Sequence, residues 1–89
     1  MTSEGHILVI EDCETVRVLM GDILGEVGYS CDLAQDGATG LDLAQKRTPG
    51  LVLLDFIMPR MNGFQFMQAF RKVENHREIP VVLVSAKAD

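Results

Sequence analysis

Cysteine is scarce in this sequence, with Cys13 and Cys31 the only two among 89 residues. They have neither the density of a disulfide scaffold nor the paired spacing of a zinc site, so they read as reduced thiols of a cytoplasmic protein. Basic residues are also few: eight Lys and Arg against 13 Asp and Glu leave a formal charge of -5. No cationic cluster is present to neutralise a phosphate backbone, which excludes direct nucleic-acid binding of the usual electrostatic kind. An acidic chain favours a cation or a basic partner instead. No apolar run approaches the ~20 residues of a membrane span. Met1 to Gly5 lacks the basic start of a secretory signal. Repeats, linkers and low-complexity segments are missing as well. The expectation is a soluble, unprocessed chain of one domain, 1–89, near the size at which a single core becomes marginal.

What is present is an alternation of short apolar runs with amphipathic stretches. His6 to Ile10 is a continuous apolar run closed by Glu11-Asp12, as expected of a strand covered on both faces. From Thr15, a plausible N-cap, Val16, Leu19, Met20, Ile23, Leu24 and Val27 form one helical stripe that Gly28 stops. Tyr29 to Ala34 alternates weakly, like a half-covered edge strand, and Asp36-Gly37 turns the chain into a helix from Ala38 to Lys46. The breaker cluster Thr48-Pro49-Gly50 precedes the strand Leu51 to Asp55. Asn62 can cap a helix to about Val73 with Phe66, Met67, Phe70 and Val73 facing the core. A polar connection, Glu74 to Glu78, leads to the apolar strand Pro80 to Ser85. Strands alternating with helices imply right-handed crossovers and a parallel sheet with helices on both faces.

In such a sheet, residues just past the carboxyl ends of neighbouring strands gather on one rim. Glu11 and Asp12 follow the first strand, Asp55 ends the third and Ser85 ends the fourth. A lone acid at the end of a buried strand costs several kcal/mol unless a cation or strong donors meet it. Three carboxylates that close repel one another, and a divalent cation held by oxygen ligands relieves the repulsion; Mg2+ fits. Cys13, beside the pair, reads as a small filler and not as a nucleophile. His6 and His76 read as surface or strand-edge histidines, because neither falls on that rim.

With Glu11-Asp12, Asp55, Met58-Pro59, Gly63 and Ser85-Ala86 in place, the sequence resembles the receiver domain of bacterial two-component response regulators. The resemblance implies a flavodoxin-like α/β fold of three layers with strand order 2-1-3-4. It implies that Asp55 accepts a phosphoryl group from a sensor histidine kinase or a histidine phosphotransfer protein. Mg2+ would be bound by Glu11, Asp12, Asp55 and the backbone carbonyl of Ile57. The Ser85 hydroxyl would donate to the new phosphoryl oxygen and so work the conformational switch. Such a domain is a signalling module that is covalently modified, not an enzyme with turnover on a free substrate. The Ile57 side chain would stand at the phosphoryl entrance, where an apolar group cannot orient water.

The sequence also departs from that family. A complete receiver continues with a helix, a fifth strand bearing a lysine and a last helix, whereas this sequence ends at Asp89. Lys87 lies two residues past Ser85 and reads as a loop lysine rather than that one. Without the family lysine, phosphotransfer is expected to be slower and the switch poorly coupled. The fourth strand becomes an apolar edge with no charge within it, from which self-association through Pro80 to Ser85, or through the uncovered sheet face beside it, is expected. The chain reads as a fragment cut after the fourth strand in preference to a naturally degenerate receiver. Two other function classes compete: an aspartyl-nucleophile phosphatase, whose D-x-D after the first strand is not matched by Glu11-Asp12-Cys13, and a pseudo-receiver that binds partners without phosphorylation.

Overall fold

The computed structural model describes residues 3–55 and 63–84. Four strands, β1 (Ser3–Ile10), β2 (Ser30–Ala34), β3 (Pro49–Asp55) and β4 (Val81–Val84), alternate with helices α1 (Glu14–Glu26), α2 (Gly37–Lys46) and α3 (Gly63–Lys72), and a 3-10 turn covers Glu74–His76. All pairings are parallel and the order is β2-β1-β3-β4, so the continuous apolar runs of β1 and β3 occupy the two central positions. This is the order expected from the sequence. Among the described residues no helix is long and apolar enough to cross a membrane.

Side chains alternate across the sheet. Leu8, Ile10, Val52 and Leu54 point to the face covered by α2 and α3, where they form the main core with Ala34, Ala44, Phe66 and Phe70. Gly40 brings α2 close to β1: a Cβ built there would lie 2.6 Å from Ile10 Cδ1 and 2.9 Å from Cγ1. On the other face α1 covers the sheet only in part. Its apolar stripe was expected to face the core, yet α1 has no fully buried residue. Leu19, Ile23 and Val27 are all more than half exposed, and an apolar depression of about 500 Å³ runs beside Leu24 and Tyr29 over Ile7, Leu51 and Leu53.

Several boundaries differ from the sequence expectation. α1 starts at Glu14 and not after Thr15, because the Arg17 amide donates to the Cys13 carbonyl at 2.8 Å and makes Cys13 the N-cap. Asp36 is a true cap as well as a turn residue, its side chain accepting from the Thr39 amide at 2.8 Å. Gly28 stops α1 as expected, two residues past its last helical residue Glu26: its φ of +101° lets its amide reach the Gly25 carbonyl and the Tyr29 amide reach that of Leu24. β3 begins earlier than expected, at Pro49, since the first position of a strand tolerates a missing donor.

Both histidines correct the expectation of surface or edge positions: His6 and His76 are each 2% exposed. His6 Nδ1 lies 2.8 Å from Ser30 Oγ and Nε2 lies 2.8 Å from Asp32 Oδ2, two residues that neighbouring β2 supplies at alternate positions. His76 stacks on Phe70. The His6 imidazole is thus satisfied at both nitrogens by residues distant in sequence, as a buried polar ring requires, whereas the 3-10 turn brings His76 onto an aromatic face.

Candidate functional site

Register builds the site. β1 and β3 pair Ile10 with Leu54, and β3 and β4 pair Asp55 with Val84. One step further, Glu11 emerges from β1 alongside Asp55, on the rim at the carboxyl ends of the two central strands. Asp12 follows in the corner before α1. Single carboxylate oxygens of Glu11, Asp12 and Asp55 lie within 4.8 Å of one another. Glu11 and Asp55 are buried, at 4% and 2% exposure, and Asp12 is half-buried.

The β1–α1 corner is held by specific bonds. The Glu11 amide donates to the Ala34 carbonyl at 3.0 Å, and the Cys13 amide donates to Glu11 Oε2 at 3.0 Å. Arg17 reaches back from the first turn of α1, its Nη1 donating to the Glu11 carbonyl at 2.9 Å and approaching the Asp12 carbonyl at 3.5 Å. Burial pushes the Glu11 carboxyl up from its ordinary range; the Cys13 amide opposes this, while Asp12 and Asp55 push the same way. A divalent cation would reverse that logic by rewarding the charged form.

Three hard carboxylate ligands without imidazole or thiolate suit Mg2+ or a similar cation, not a soft transition metal. The donor set therefore fits the ion expected from the sequence. Cys13 is exposed and its sulfur is not part of the cluster. Ser85, the Ile57 carbonyl and Lys87 lie outside the described residues. Val84, immediately before Ser85, is paired to Asp55 and so brings the end of β4 to the same rim.

Sequence reasoning missed Arg17 and the Cys13 amide. A backbone donor leaves no trace in residue type. For Arg17 a signal existed: a cation in the first turn of a helix opposes the helix dipole, so its place there calls for compensating acceptors nearby.

The family model described as response regulator receiver domain matches residues 7–89. An uncharacterized transcriptional regulatory protein of Bacillus subtilis, YkoG, is 38% identical over 85 residues, covering 94% of this chain and 36% of its own length. The chain spans about a third of the first curated relatives it matches. Among solved structures, chemotaxis protein CheY4 of Vibrio cholerae has a TM-score of 0.90 at 27% identity, over 97% of this chain and 72% of its own. A structure of histidine kinase ThkA in complex with response regulator protein TrrA matches with a TM-score of 0.81 at 29% identity, over 100% of this chain and 72% of its own.

Proposed function

The chain belongs to the response regulator receiver family, and from that premise we propose that Asp55 accepts a phosphoryl group from a phosphohistidine on a sensor kinase or phosphotransfer protein. The convergence of Glu11, Asp12 and Asp55 within 4.8 Å is the observation that carries this reading. A buried carboxylate at a strand end has a fixed direction of attack. One Asp55 oxygen forms the new O–P bond as the N–P bond of the donor breaks, and the electron pair leaves to the imidazole nitrogen, which then takes a proton from solvent. Glu11 and Asp12 would hold Mg2+ together with Asp55, completed by the Ile57 carbonyl. When bound, the ion supplies electrostatic neutralisation of the equatorial phosphoryl oxygens. The Ser85 hydroxyl donates to one of those oxygens, which draws the loop after β4 inward and makes the switch.

A kinase partner is supported by the likeness to a response regulator solved with its histidine kinase. Self-association through the apolar β4 edge belongs to the same proposal, since Val82 and Leu83 are about half exposed. The domain is modified in each signalling cycle and does not turn over a free substrate. A pseudo-receiver without phosphorylation has no use for the three converging acids and is not favoured.

The test is incubation with a small acyl or amido phosphate and Mg2+, followed by intact mass. A lasting gain of one phosphoryl group, absent without Mg2+ and absent in Asp55→Asn, is expected. Release of free phosphate with no adduct would replace this function with a phosphatase, and no reaction in a folded, Mg2+-binding protein would leave an interaction module.

A further inference from the structure

We infer that Arg17 is a positioning residue of the acid pocket, acting on Glu11 and Asp12 through their backbone carbonyls. The inference rests on the reading that the pocket holds a divalent cation. Glu11 and Asp12 sit in the gap between β1 and α1 and belong to neither element. Arg17, half-buried on the first turn of α1, closes that gap: its Nη1 donates to Glu11 at 2.9 Å and approaches Asp12 at 3.5 Å.

The corner is thereby fixed from three sides. The Ala34 carbonyl accepts from the Glu11 amide, the Arg17 guanidinium donates to the Glu11 carbonyl, and the Cys13 amide holds the Glu11 carboxylate. Arg17 also anchors its own end of the lever, since its amide donates to the Cys13 carbonyl at 2.8 Å. Release of the guanidinium leaves a buried carbonyl without its donor and lets the peptide between Glu11 and Asp12 rotate. Rotation there moves both carboxylates relative to Asp55, whose place is set independently by β3. The three oxygens then no longer converge before the ion arrives.

Two effects of Arg17 on a cation have opposite signs, and that makes the inference testable. Its positive charge repels the ion, whereas its hydrogen bonds preorganise the ligands. Arg17→Lys keeps the charge on a shorter stem with no forked head, and Arg17→Gln removes the charge. Mg2+ alone is titrated into the full chain and each variant, read by amide resonances, with the Cys13 amide as the reporter of its bond to Glu11. Both variants should bind Mg2+ about tenfold more weakly, as when other groups that orient metal ligands are lost. The Cys13 amide should shift before any metal is added, while melting temperatures stay within a few degrees of wild type. Unchanged affinity in Arg17→Lys with tighter binding in Arg17→Gln would overturn the inference and leave only a charge effect. Wild-type affinity and an unmoved Cys13 amide in both variants would overturn it also, while leaving the phosphoacceptor reading intact. Failure of the wild-type chain itself to bind Mg2+ would overturn both.

Discussion

The His76 ring lies on the Phe70 ring, with centroids 4.3 Å apart and planes inclined by 17°. Phe70 in turn stacks on Phe66 at 5.2 Å, so an imidazole ends a column of core aromatics beneath the α3–β4 connection. Burial is the main cause that holds its pKa below 6.5, with the Arg71 cation acting in the same direction and hydrogen bonds to the Phe70 and Ala44 backbone opposing. Nδ1 is buried with no hydrogen-bond partner among the described residues.

That burial links His76 to stability. The unfolded chain binds the proton more readily than the folded one, so the contribution is whole above pH 6.5 and declines as pH falls below it toward the folded pKa. Urea unfolding between pH 7.5 and 5.5 should show less of this decline in His76→Phe, which keeps the stack. Equal slopes in the two proteins would show that His76 takes up its proton equally readily in the folded and unfolded chains.

Gly40→Ala makes a second test of the fold. Alanine gains roughly 1 kcal/mol of helix propensity over glycine, but its methyl would enter space held by the side chain of Ile10, which is 1% exposed. Overpacking costs about 1 to 3 kcal/mol. The expected net result is a melting temperature several degrees lower, and a rise would mean that Ile10 repacks freely.

Leu83→Lys probes the edge. β4 pairs only with β3 among the described residues, and its exposed Val82 and Leu83 carry no charge against another strand. Sedimentation of the wild-type chain should show association that grows with concentration, and a lysine on the edge should suppress it. A strict monomer at high concentration would remove self-association from the account.

Much of the site was legible because strand ends are marked by composition. The apolar runs ending at Ile10 and Leu54 stop at acids, and a parallel sheet leaves those acids nowhere to go but a common rim. What periodicity could not supply was the covering. Val16, Met20 and Leu24 of the α1 stripe are half-buried, whereas Leu19, Ile23 and Val27 face outward, because the spacing marks an apolar face without saying how much of it the sheet meets. The histidines were misplaced for a related reason. His6 is buried by Ser30 and Asp32, which lie 24 and 26 residues away and become neighbours only once β1 pairs with β2. The Cys13 cap depended on a backbone bond, and backbone bonds have no residue signature.

The most direct test of the central claim locates the phosphoryl group at residue level. After reaction with a small acyl phosphate and Mg2+, borohydride reduction converts an aspartyl phosphate into homoserine, which peptide mass spectrometry assigns. Homoserine at position 55, and at neither Glu11 nor Asp12, is the predicted result. Phosphate retained on a serine or histidine, or an unreduced Asp55 in a protein that has gained the phosphoryl mass, would contradict it.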